Sequence, residues 1–170
     1  MSQQLNLGNG FGRGALAFVI FEPGGKFAFK IFKSSKHPNH RDDPPSDDLI
    51  RAYFQAEHDA YQIVSKNPAL AKHAPIFYGT TKIISVANEA GVLVSDHFLL
   101  DCCLQFERLS GHDDKLALYE SKFQYLQQFT SQLKAAGISH TLDASVFNPG
   151  NAEGFKIIDF ATRDVGAMCA

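Results

Sequence analysis

Several protein classes are excluded by what this chain has little of. Its formal net charge is only −2 over 170 residues, so no basic surface is expected to attract nucleic acid or an anionic membrane. Long apolar runs are missing: the longest, Ala15 to Phe21, falls far short of the roughly 20 residues that a membrane-spanning helix needs. The N-terminus opens on polar residues and glycines, so no cleavable secretory signal is expected. Cysteine is scarce. Three thiols cannot form a closed disulfide set, and Cys102 and Cys103 are neighbours inside the apolar run Phe98-Leu99-Leu100-Asp101-Cys102-Cys103-Leu104. They read as small buried hydrophobes rather than redox or metal groups. The seven histidines are scattered; His37 and His40 form the only close pair, with no cysteine nearby to complete a zinc site. There are no repeats and no low-complexity stretch.

What is present is a core. A hydrophobic fraction of 45% with 15 phenylalanines argues against disorder, and a chain of this length can bury roughly 70% of its unfolded surface. Ala17–Phe21 and Lys26–Phe32, separated by Glu22-Pro23-Gly24-Gly25, have the composition of a β-hairpin. Ser34–Asp48 is polar and proline-bearing, a solvated loop leading into a helix capped by Asp47 or Asp48 and running to about Lys66, where Pro68 stops it. Ile76–Val86 and Val92–Phe106, divided by Asn88-Glu89-Ala90-Gly91, are strand-like, and the number of strands there is open. Ser110-Gly111-His112-Asp113-Asp114 opens a second expected helix, with Leu116, Tyr119, Phe123, Leu126 and Leu133 at helical spacing and Gly137 as its stop. Strands collected early with helices at intervals predict an α+β fold rather than a doubly wound parallel sheet.

The chemistry-bearing residues fall at both ends of this pattern. Lys30 sits on the strand Phe27-Ala28-Phe29-Lys30, apolar on both faces, and needs an anionic partner. Glu57 falls within the apolar helical stripe Ile50, Tyr53, Phe54, Ala60, Tyr61, Val64, where a carboxylate is costly unless paired. A Lys30–Glu57 ion pair would satisfy both; a buried salt bridge with no ligand is the plainer alternative. Gly8, Gly10, Gly12 and Gly14 allow close approach of backbone amides to phosphates. One register, Gly10-x-Gly12-x-x-Ala15, also imitates a dinucleotide fingerprint, but that motif needs a strand before it and a helix after. Downstream, Asp143 and Asn148 stand five residues apart, and Asp159-Phe160 follows eleven residues later. A carboxylate to orient an acceptor hydroxyl and two oxygen ligands for magnesium are what phosphoryl transfer requires. Taken singly, each of these acids could equally cap a helix or close an Asx turn.

The ordered set Gly12/Gly14, Lys30, Glu57, Asp143, Asn148 and Asp159 resembles that of the eukaryotic-like protein kinases. The resemblance implies a minimal bilobal kinase-like fold, with a β-rich N-lobe over 1–107 and a truncated helical C-lobe over 108–170. It implies ATP and Mg²⁺ as cofactors and serine/threonine phosphorylation of a protein as the reaction. Asp143 would be the catalytic acid–base residue, Lys30 and Glu57 the phosphate-binding pair, and Asn148 and Asp159 the metal ligands. Gly12, Gly14, Val19 and Ala28 would contact the nucleotide. Phe106-Glu107-Arg108-Leu109 looks like the hinge, so Glu107 and Leu109 would face the adenine.

The compact length resembles the minimal kinases that bacterial pathogens inject through type III secretion. One branch implies the host ninety-kilodalton heat-shock chaperone as substrate, inactivated by phosphorylation. Another implies ubiquitin or a ubiquitin-conjugating enzyme as partner. Three departures stand out: Thr141-Leu142-Asp143 replaces His-Arg-Asp, Ser145 stands where a lysine is usual, and Asp159-Phe160-Ala161 replaces Asp-Phe-Gly. They motivate a pseudokinase or interaction module as the alternative. A small-molecule phosphotransferase is a further one, for which the stretch after Glu107 offers little room for a substrate domain.

Overall fold

In the computed structural model, residues 3–40, 43–110, 112–113, 127–139, 146–148 and 156–162 are described, with the backbone alone at 11, 13, 112–113 and 146–148. The fold is α+β, with antiparallel and parallel strand pairs and few helices. Two compact units divide the chain, one comprising Met1–Gln55 with Tyr78–Arg108, the other Ala56–Phe77 with Leu109–Ala170. This differs from a single cut after residue 107, because 56–77, which carries Glu57, belongs to the second unit.

The first unit is built on a five-stranded sheet in the order β2-β3-β4-β7-β5: Gly10–Arg13, Ala17–Phe21, Phe27–Lys33, Phe98–Glu107 and Phe77–Thr80. The expected hairpin forms as β3–β4, with Val19 opposite Lys30 and Phe21 opposite Ala28. Its turn is closed by the Gly25 amide donating to the Glu22 carbonyl, with Pro23 and Gly24 between them. Period-two alternation sends Phe18, Ile20, Phe29 and Ile31 to one face. There they form a buried cluster with Leu5, Ile83, Val86, Phe98 and Cys103.

Leu5, Ile83 and Val86 come from a small parallel pair, β1 (Gln3–Asn6) with β6 (Ile83–Ala87), that covers this face. β1 is absent from the sequence expectation. Only one of its four residues is a buried hydrophobe, so its polar composition hides it. Over Ile76–Val86, where the sequence leaves the number of strands open, there are two, β5 and β6. The strand expected over Val92–Phe106 begins only at Phe98, after a 3-10 turn at Ser95–His97.

Helix α1 runs Asp47–Lys66. Its cap is Ser46 rather than either aspartate: the Leu49 amide donates to the Ser46 hydroxyl, while Asp47 accepts from the Ser35 amide. Within the first unit, Phe54 meets Phe32 edge-on at 5.5 Å, and Arg51 pairs with Asp101 at 2.6 Å.

In the second unit, α2 (Pro68–Ala71) starts at the very proline that ends α1, with the Asn67 side chain capping the Ala69 amide. A three-stranded sheet takes the order β10-β9-β8, from Lys156–Ile157, Val146–Asn148 and His112–Asp113. The expected helix opening at Ser110–Asp114 is therefore corrected: His112 and Asp113 pair in β8 with Asn148 and Phe147. The polar Ser-Gly-His-Asp-Asp run suits a cap by composition, but strand pairing decides. Of the expected helical stripe, Leu116, Tyr119, Phe123 and Leu126 lie outside the described residues. Helix α3 is described over 127–135. Its end is a Schellman motif, with Ile138 donating to the Leu133 carbonyl, Gly137 to Lys134, and Gly137 at φ 78°.

Phe29 is almost fully buried at the centre of the first unit's cluster. Phe29→Ala is expected to destabilise the protein by about 3–5 kcal/mol, read from urea unfolding, because both the transfer free energy and a cavity are lost.

Candidate functional site

The sheet register brings the expected nucleotide-contacting residues of the first unit into line. Gly12 pairs with Val19, Val19 with Lys30, and Lys30 with Leu104, one rung across four strands. Directly cross-strand residues share a face, so these four side-chain positions project the same way. A second rung on that face joins Phe21, Ala28 and Phe106. Lys30 is half-buried, with its ammonium 5.9 Å from the Phe32 ring centroid. Glu107 closes β7 opposite Phe27, and the unit boundary falls just after it, between Arg108 and Leu109.

Among the glycines, steric need and expectation separate. A Cβ at Gly12 would find nothing nearer than Val19 Cβ at 4.0 Å, and one at Gly14 would lie 3.3 Å from the Ala17 carbonyl. At Gly10 it would come within 2.9 Å of the Leu7 carbonyl, so it is Gly10 that the fold itself requires. The strand β3 that follows these glycines also removes the dinucleotide reading, which needs a helix there.

Sequence reasoning missed Lys33. It is 3% exposed, and its ammonium donates to the carbonyls of Gly14 at 2.5 Å and Ala15 at 2.8 Å, over the face of Phe18 at 5.2 Å. Burial holds its pKa below the usual lysine value. A lysine at the end of an amphipathic strand normally signals solvent. Here the β4–β7 register shifts between Ile31 and Lys33 and breaks the simple alternation. Lys33 thereby fastens the turn between β2 and β3.

His37 was also unexpected as a buried group. Its ring packs among Phe18, Phe98, His40 and His97, and its Nδ1 accepts from the Asn39 amide. Burial first, then Lys33, His40 and His97, push its pKa down to about 4. Cys102 and Cys103 are buried free thiols; burial raises Cys102 to about 11 and Cys103 further. Both stay protonated, as small apolar residues do.

In the second unit the expected Glu57 and Asp159 flank a third residue, Tyr61. Glu57 is 7% exposed on α1, one turn before Tyr61, and Tyr61 is itself buried. The Asp159 amide donates to the Tyr61 hydroxyl at 3.3 Å. Burial, and then the negative charges of Glu57 and Asp159, hold the phenol well above its usual pKa, so it remains a neutral hydroxyl.

Asp159 is exposed, with φ of 70°. That conformation costs roughly 1–2 kcal/mol for a residue with a Cβ, least for Asn and Asp. Its neighbours are tightly held. Phe160 is buried against Tyr61 at 5.2 Å and Phe129 at 6.5 Å. Ala161 exchanges two backbone bonds with Ser139, and Ile157 donates to the His73 carbonyl.

Asn148 ends β9, its backbone paired with His112. Asp143 lies outside the described residues. Gly12, Gly14, Val19, Ala28, Lys30 and Glu107 belong to the first unit, and Glu57, Leu109, Asn148 and Asp159 to the second.

No protein-family model matches this chain, and no curated protein matches it. Among the described residues no cluster of three or more His, Cys, Asp or Glu side chains could hold a metal ion, and no helix is long and apolar enough to cross a membrane.

Two outcomes follow from these buried basic groups. Lys33→Met keeps the length but leaves two carbonyls without their donor, and is expected to cost about 1–3 kcal/mol in chemical unfolding. Because the folded pKa of His37 lies below the ordinary value of 6.5, the unfolded chain takes up the proton first. Stability should therefore fall as pH drops from about 6.5 to about 4 and level off below. His37→Phe should flatten that slope in thermal melts across the same range.

Proposed function

We propose that this protein is an ATP-dependent serine/threonine protein kinase of minimal bilobal architecture. The observation that carries the reading is the rung Gly12–Val19–Lys30–Leu104, which sets a glycine strand, an apolar cover and a cation on one face of one sheet. An adenine nucleotide needs that combination: backbone amides and a lysine for phosphates, and flat apolar surface for the base. Val19 and Ala28 pack on the base, and backbone groups of Glu107 and Leu109 bind its edge. Amides at Gly12 and Gly14 meet the phosphates with Lys30.

Asp143 accepts the proton of the attacking hydroxyl. The solvent-facing carboxylate of Asp159 suits a hard cation, and with Asn148 it would hold Mg²⁺. When bound, the metal supplies charge neutralisation at the phosphates. The substrate proposed is a protein of an infected host cell, foremost the ninety-kilodalton heat-shock chaperone, reached by type III secretion.

The test is transfer of labelled γ-phosphate from ATP in a eukaryotic lysate. Asp143→Ala is expected to lower transfer by about 10²–10⁴-fold, and Asp159→Asn, which the positive φ tolerates, and Lys30→Met to abolish most of it, with melting temperatures preserved. Gly12→Ala has room in the fold, so it should weaken nucleotide binding without loss of stability. Labelling of a ninety-kilodalton band identifies the chaperone, and other bands replace it as substrate. ATP binding without any transfer would replace the kinase by a pseudokinase or a ubiquitin-binding module.

A further inference from the structure

The expected site residues are charged groups, one amide, glycines and nucleotide-facing hydrophobes; Tyr61 is none of these, yet its hydroxyl meets the backbone of Asp159, an expected metal ligand. Its ring is wedged against Phe160 at 5.2 Å and Phe77 at 5.5 Å, so the hydroxyl has a fixed position. That hydroxyl accepts the amide of Asp159, the one described non-glycine residue with positive φ. The residues on either side are fastened by other bonds. Ile157 is held through His73, Ala161 through Ser139, and Thr162 through both its amide and its hydroxyl to the Ala56 carbonyl. Asp159 is exposed, and its amide is anchored to a buried side chain. Rotating φ back to negative values would turn that amide away from Tyr61 and re-aim the carboxylate.

We propose that Tyr61 is a positioning residue whose hydroxyl, by bonding the Asp159 amide, holds the Asp159 carboxylate in its metal-binding orientation. The inference rests on the kinase reading above. A leucine or phenylalanine at this helix position would fill the same space beside Phe160 but accept no hydrogen bond. The hydroxyl therefore serves orientation, separately from packing. It acts through Asp159 and touches neither nucleotide nor metal.

Tyr61→Phe separates the two roles. Mn²⁺ binding to the full chain, saturated with a non-hydrolysable ATP analogue, is read by electron paramagnetic resonance. The variant should bind Mn²⁺ about fivefold more weakly, the worth of one neutral hydrogen bond. Its metal-free affinity for the analogue and its melting temperature should stay close to wild type. In an Asp159→Asn background, Tyr61→Phe should add little, since the carboxylate it positions is gone. Equal Mn²⁺ affinity in wild type and Tyr61→Phe would overturn the inference and leave the kinase reading standing. So would a parallel loss of analogue affinity and melting temperature, which marks a structural role. A wild type that takes up no Mn²⁺ with the analogue would overturn the kinase reading and this inference together.

Discussion

The first unit depends on covering both faces of one strand. β4 carries Phe29 and Ile31 on one side and Ala28 and Phe32 on the other, and none of these is more than slightly exposed. Leaving either face to water would forfeit about 1.5–3 kcal/mol for each large side chain. One face is roofed by β1 and β6, and the other receives Phe54 from the start of α1. Because side chains on a strand alternate, a slip of one residue would exchange the two sets. The pairing of Val19, Lys30 and Leu104 is thus fixed by hydrophobic burial around it rather than by any ligand. Lys30 rides on a register that phenylalanines determine.

The same logic separates what could be read in the sequence from what could not. The β3–β4 hairpin was legible because two β-rich runs flank a Pro-Gly-Gly turn, and α1 because its apolar stripe is long. Gly137 was legible as a helix stop because only a residue without Cβ sits comfortably at that φ. β1 was not, since a strand needs only one buried side chain when its partner strand supplies the rest of the roof. His112 and Asp113 look like a helix cap in composition, yet their pairing is with residues more than thirty positions away. Non-local pairing of this kind leaves no periodic trace.

Of the candidate site, the acids and glycines stand out in the sequence because each is chemically conspicuous. Glu57 was legible as an anomaly, a carboxylate on a buried stripe. The residues that hold such groups in place were not. Tyr61 is one more aromatic on the stripe until its hydroxyl is seen against a backbone amide, and Lys33 is one more strand-end lysine until its ammonium is seen against two carbonyls. Gly10, which the fold cannot spare, has no more prominence in the sequence than Gly12, which it can. Motif residues announce themselves by type, whereas supporting residues are defined by geometry.

The pairing of β1 with β6 also has a bearing on synthesis. Gln3 meets Ile83 and Phe27 meets Glu107, so the earliest strands of the unit have their partners some eighty residues later. At a translation rate of roughly 5–20 residues per second, those strands wait several seconds for their partners to be made. Through that interval the phenylalanine-rich hairpin is without its roof, a stretch of time in which a holding chaperone has something to grip.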